Sequence, residues 1–131
     1  MSTATKAVKL HSEAINERDV EVYLGSTNFP FTYQNYNGVS LTIGSADAYG
    51  AEATPWPWEI ILDTDPTWDH TTFDIVEEVV RSVSSAVFLV TISRVDAEGS
   101  SYGTFRALWI ATERDGHWGI QFRHNLGAFS A

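Results

Sequence analysis

Over residues 3–18 the apolar positions recur every three or four residues. Ala7, Val8, Leu10, His11, Ala14 and Ile15 make one stripe, with Lys6, Lys9, Glu13 and Glu17 opposite. That spacing predicts an amphipathic α-helix whose inner stripe contains a histidine. Asp19 is placed to cap a short second helix through Val20, Val22, Tyr23 and Leu24, and Gly25 to end it. The period then falls to two. Residues 29–36 and 39–43 alternate around Asn37-Gly38, a dipeptide that tolerates the positive φ of a tight hairpin turn. Ser45 is placed to cap a third short helix over residues 46–53. Residues 54–69 set Pro55, Pro57 and Pro66 among Trp56, Trp58 and Trp68. Proline removes backbone donors and blocks helix interiors, so this stretch reads as a long loop ordered by its tryptophans.

From Thr71 onward the chain is β-rich. The runs 71–83, 86–95, 101–112 and 117–124 are broken at Ser84-Ser85, Ala97-Glu98-Gly99 and Asp115-Gly116, which predicts an antiparallel meander. A two-residue turn at Asp115-Gly116 pairs Arg114 with His117. Carried on without interruption, that register puts Trp118, Ile120, Phe122 and His124 on one face with Phe105, Ala107, Trp109 and Ala111. This apolar face is the expected core. The opposite face, with Arg106, Leu108, Ile110, Thr112, Gln121 and Arg123, is too apolar for plain solvent and too polar for a core. It suits a partner surface, with a second copy of the chain as partner. At Ala97-Glu98-Gly99, a three-residue and a four-residue turn place Arg94 on opposite faces, and both stay open.

With 131 residues, 44% of them apolar and 13% aromatic, one domain with a real core is expected. No apolar run approaches the length of a membrane span, and the first ten residues lack the apolar stretch of a secretory signal, so a cytoplasmic protein is expected. There is no cysteine, so disulfides and thiolate nucleophiles are excluded and a metal would need histidines and carboxylates. The net charge is −9, and residues 19–80 hold eleven acidic side chains with no Lys or Arg. Such a surface repels a phosphate backbone; nucleic acid is not an expected partner, and neither is a membrane.

Two helices, a hairpin, a third helix and a long meander follow one another in an order that resembles the NTF2-like superfamily, in particular its SnoaL-like and ketosteroid-isomerase-like members. The sharpest local pieces are Ala14-Ile15-Asn16-Glu17-Arg18-Asp19 and Asp115-Gly116-His117-Trp118-Gly119-Ile120-Gln121. The resemblance implies an α+β fold, with N-terminal helices packed in the concave face of a curved, mostly antiparallel sheet. It also implies a cone with an apolar cavity, and a homodimer paired through the outer sheet face. Members of this group include isomerases, cyclases and dehydratases as well as non-catalytic binding domains. Ketosteroid isomerisation needs a carboxylate base and a protonated aspartic acid. The corresponding segments here, Phe31-Thr32-Tyr33-Gln34 and Leu108-Trp109, hold no acid, so that reaction is not expected.

Candidate chemistry follows from this frame. His124 continues the expected core face toward the open end of the cone, where an imidazole can move a proton near neutral pH; the alternative is a histidine bonded to backbone. His11 could meet it across the cavity, or be a satisfied core histidine. Asp69-His70 is the best local carboxylate and imidazole pair, although neighbours on a strand point to opposite faces. Trp56, Trp58 and Trp68 with Tyr33 would form an aromatic lid, or else plug the cone. Trp109 and Phe122 would wall the cavity. Arg94, Arg106 and Arg123 could hold a carboxylate or phosphate, with Arg106 and Arg123 expected on the outer face. The expected catalytic residues are His124 and Asp69, and the expected ligand contacts are His11, Tyr33, Trp56, Trp58, Trp68, His70, Arg94, Trp109, Phe122 and His124. His11, His70, His124 and Asp69 have metal-ligand chemistry but no ligand spacing, so neither metal nor cofactor is expected. Three readings result: a pocket for a small hydrophobic molecule, a cofactor-independent acid–base enzyme, or a dimeric scaffold with a filled cone.

Overall fold

The computed structural model describes residues 2–128. Helix α1, Ala4–Glu17, begins at Thr3, whose side chain accepts from the Lys6 amide, and ends at Arg18 in the left-handed region. Five of the six residues expected in its inner stripe are buried, Ala7, Val8, His11, Ala14 and Ile15, whereas Leu10 is 37% exposed. Asp19 caps α2, Val20–Gly25, by accepting from the Val22 amide. Asn16, at the end of α1, acts as one more strand position. Its amide bonds the Thr71 carbonyl and amide, both at 2.8 Å, and locks the helix to the sheet.

The sheet consists of β1 Thr27–Asn35, β2 Ser40–Ile43, β3 Trp68–Arg81, β4 Ser85–Asp96, β5 Ser101–Arg114 and β6 His117–Ala128. Its strand order is β2-β1-β6-β5-β4-β3. Every neighbouring pair is antiparallel except β1 and β6, which run parallel. The sheet is curved and not closed, and α1 packs across β3, β5 and β6 on its concave side. Tyr23, Phe31, Phe88, Val90 and Ile120 are fully buried between these layers.

Two expectations for the connecting region are corrected. The helix over residues 46–53 is a single 3-10 turn, Ala46–Ala48, and the Ser45 side chain does not cap it. The stretch 54–69 is not a loop throughout, because it contains helix α3, Pro57–Thr64. Pro57 occupies the first helical turn, where its missing N–H costs nothing, and Glu59 reaches back to accept from the Trp56 amide at 3.0 Å. Pro66 lies just past the last turn. The prolines bracket this helix rather than forbid it.

A third correction changes which side chains point inward. The β5–β6 ladder starts in the expected register, with Arg114 opposite His117 and Ala111 opposite Ile120, but Ile110 then pairs with Phe122. Gln121 is the extra residue of a β-bulge. From there to Asn125 the facings are reversed from expectation: Arg123 stands opposite Trp109 and Asn125 opposite Ala107 on the concave face, before a further shift at Leu126. Phe122 and His124 point outward with Ile110 and Leu108. Gln121 holds the bulge by donating to the Pro30 carbonyl at 2.9 Å and accepting from Thr112 and Arg114.

A second bulge settles the Arg94 question. The Asp96 amide bonds the Ser100 carbonyl, as in a three-residue turn, yet one step on Arg94 pairs with Gly103 and Ile92 with Phe105. Tyr102 is the residue skipped. Arg94 therefore shares the concave face with Ile92 and Phe105.

Candidate functional site

Between α3 and the concave face of the sheet lies a cavity of about 80 Å³. Its apolar walls are Ile15 from α1, Ile60 and Ile61 from α3, and Phe73, Ile92 and Trp109 from the sheet. The polar residues of the lining are Tyr33, Thr71, Arg94, Arg123 and Asn125. Tyr33, Ile60, Ile61, Arg94 and Asn125 also line a wider funnel of about 720 Å³ toward solvent. A water needs about 10–15 Å³ of such space, so the inner chamber has room for a group the size of a short branched chain or a ring, and it opens into the funnel.

The two arginines differ in their partners. Arg94 is 17% exposed, lies over the Phe105 ring, and pairs with Asp65 at 3.3 Å. Asp65 also accepts from the Tyr102 hydroxyl at 2.5 Å. Burial pushes the Asp65 carboxyl up, but hydrogen bonds from Tyr102, Thr67 and Arg94 outweigh it and hold the pKa below the ordinary carboxylate value. Because Asp65 closes α3, this cluster ties the lid helix to β4 and β5.

Arg123 is only 5% exposed. Its Nη2 donates to the Tyr23 hydroxyl at 3.1 Å, and its Nε has no partner. Among the described residues no carboxylate lies within ion-pairing distance of it. Four aromatic rings surround it instead, with its guanidinium carbon 5.2 Å from the Phe31 centroid, 5.3 Å from Tyr33, 5.6 Å from Tyr23 and 5.8 Å from Trp109.

The groups nearest Arg123 carry no compensating charge. Burial, and next the Arg123 charge, hold the His11 pKa well below its ordinary value, against a smaller upward pull at Ser26. Ser26 and Thr27 both spend their hydroxyl hydrogens on the Tyr23 carbonyl, so at His11 Nδ1 they can only accept. His11 is thus the neutral Nδ1–H tautomer, and its Nε2 is an unpartnered acceptor. Burial raises the pKa of Tyr23, Tyr33 and Tyr49, keeping these phenols protonated, and the Tyr23 and Tyr49 hydroxyls bond each other at 2.6 Å.

Of the residues singled out from sequence, Tyr33, Arg94 and Trp109 line this cavity. His11 is fully buried, tilted against Tyr23 at 4.5 Å and edge-on to Trp109 at 5.3 Å, and contributes no wall. His124 and Phe122 lie on the convex face, with His124 Nδ1 3.0 Å from the Gln34 side chain, so the facing expected for both is corrected by the Gln121 bulge. Trp58, Trp56 and Tyr49 form a parallel stack, 5.5 Å and 4.8 Å between rings, with Tyr23 edge-on to all three. They seal one end of the core rather than the cavity mouth. Trp68 is buried under the Arg18 guanidinium and donates to Thr71. Asp69 and His70 form a pair at 2.8 Å that is open to solvent, away from the cavity. Among the described residues no three His, Cys, Asp or Glu side chains converge as metal ligands would. Arg123, expected on the outer face, also lines the cavity, and Asn125 and the apolar walls Ile15, Ile60, Ile61, Phe73 and Ile92 were not among the expected contacts. The bulge that turns Arg123 and Asn125 inward leaves no mark in the alternation of β6 itself; only the buried partners of Trp109 reveal it.

No protein-family model matches the chain, and no curated protein matches it in sequence. Its fold has clear counterparts among solved structures. A candidate calcium/calmodulin-dependent protein kinase type II association domain from Thiobacillus denitrificans superposes with a TM-score of 0.75 at 11% identity, covering 99% of this chain and 98% of that one. A protein of unknown function with a cystatin-like fold from Nostoc punctiforme gives 0.69 at 14% identity, with coverages of 92% and 85%. An NTF2-like protein of unknown function from Shewanella oneidensis gives 0.62 at 17% identity, with coverages of 92% and 93%. Among the described residues no helix is long and apolar enough to cross a membrane. Three helices on a curved, open, six-stranded mixed sheet, shared with these structures, give this chain the cystatin-like α+β fold of NTF2-like proteins.

Proposed function

We propose that the protein binds a small, largely hydrophobic molecule in the chamber beneath α3. The observation that carries this reading is the cavity itself. Six large apolar side chains leave about 80 Å³ between them, joined to a funnel of about 720 Å³, in a fold whose core is otherwise closely packed. Acid–base catalysis by His124 or Asp69 receives no support, since neither side chain lines the cavity. The filled-cone alternative is weakened because the tryptophans stack beside the chamber instead of inside it. Titration of the neutral dye Nile red tests the reading. The wild type is expected to enhance its fluorescence saturably and Ile61→Trp, which fills the chamber, to lose that enhancement; equal response from both proteins would sink the proposal.

The reading includes a homodimer through the convex sheet face. There Leu108, Ile110 and Phe122 are half-buried in a row beside His124, and the bulge has replaced Arg123 by Phe122 on this surface. The change makes the face more apolar than the unbroken register would.

A further inference from the structure

Resting on the proposed pocket, we infer that the ligand is an organic monocarboxylate, its apolar body in the chamber and its carboxylate on the Arg123 guanidinium. A guanidinium is protonated at any physiological pH, and removing one from water costs several kcal/mol unless an opposite charge or a full set of acceptors replaces the solvent. Arg123 has one neutral acceptor, Tyr23, and an unpartnered Nε. The four surrounding rings offset part of the cost through cation–π attraction without satisfying the N–H donors. His11 and the tyrosines are neutral, so among the described residues no anion of the chain reaches this point.

Arg94 shows what a completed arginine looks like in the same wall. It has Asp65, and its charge is answered within the chain. The missing partner of Arg123 must come from the cavity, which it lines. A carboxylate matches the planar fork of a guanidinium, and the six apolar walls leave a chamber of isobutyl or phenyl dimensions for the rest of the molecule. The acidic exterior, with net charge −9, draws in no anions by long-range attraction. Anion affinity, where measured, therefore reports the interior site.

The test is calorimetric titration of 4-methylpentanoate against 4-methylpentanamide, its uncharged near-isostere, at neutral pH. Wild-type protein is expected to bind the acid at least about tenfold more tightly than the amide, the scale of hydrogen bonds to a charged group. Arg123→Met is expected to bind both equally. Equal affinity of acid and amide for the wild type overturns the anion inference while leaving the hydrophobic pocket standing. Failure of both, together with failure of Nile red, overturns the pocket as well. Tighter binding of isobutyl phosphate than of the acid would reassign the head group. Loss of discrimination in Arg94→Met but not in Arg123→Met would transfer the site to the other arginine. Should Arg123→Met not fold, the wild-type comparison of acid with amide decides alone.

Discussion

Arg123 lies directly across the β5–β6 ladder from Trp109, on the concave side, while its neighbour His124 faces the other way. One inserted residue, Gln121, separates this arrangement from its mirror assignment. The guanidinium that would have met solvent or a partner subunit is placed among aromatic rings at the cavity wall.

Among the described residues the Tyr23 hydroxyl is the hydrogen-bond acceptor for Arg123, and it is also bonded to Tyr49. Tyr23→Phe leaves a buried hydroxyl and a buried guanidinium unsatisfied together. A loss of about 1–3 kcal/mol is expected in urea unfolding. A change within a few tenths of a kcal/mol would show that neither bond matters.

The His11 pKa is held below its ordinary value of 6.5, which sets the sign of a pH effect. Above that value the imidazole is neutral in both folded and unfolded chains and contributes no pH dependence. Below it the unfolded chain takes up a proton that the folded one refuses, so stability falls as pH drops toward the lowered folded pKa. The slope approaches about 1.4 kcal/mol per pH unit. Urea melts from pH 8 to pH 5 should show this decline, and His11→Asn should flatten it. A wild-type profile flat across that range would contradict the buried neutral assignment.

Gly50 has φ +87°, and a Cβ built on it would lie 2.7 Å from Cζ2 of Trp56. Gly50→Ala therefore combines an unfavourable left-handed backbone with a displaced indole. A cost of at least about 1–2 kcal/mol is expected, with a changed near-ultraviolet circular dichroism spectrum as Trp56 leaves its stack with Tyr49 and Trp58. An unaltered spectrum would mean that the stack does not depend on the close approach at Gly50.

If Leu108 and Phe122 form a subunit interface, Leu108→Asp puts an unpaired charge into it. Sedimentation should then show a dimer for the wild type and a monomer for the variant, with the fold retained by circular dichroism. A dimer surviving the substitution would move the interface elsewhere.

Most of the local structure was legible in the sequence because it is written in short-range chemistry. The 3.6-residue stripe of α1, the Asp19 cap, the Asn37-Gly38 and Asp115-Gly116 turns and the period-two strands each depend on neighbours a few residues away. Even α3 carries its signature, a proline at the first turn and another past the end, but the density of prolines around it masks the helix. What only the tertiary structure decided is the set of facings that build the pocket. Gln121 and Tyr102 each become extra residues through bonds to distant groups, Gln121 to Pro30 and Tyr102 to Asp65. The parallel pairing of β1 with β6 joins residues about ninety positions apart. No local pattern encodes such contacts. A shift of one residue then carries a charge from one side of the sheet to the other, because side chains alternate along a strand. The sequence by itself determined helices on a sheet with an aromatic interior; long-range hydrogen bonding determined that an arginine with no carboxylate partner among the described residues would stand inside it.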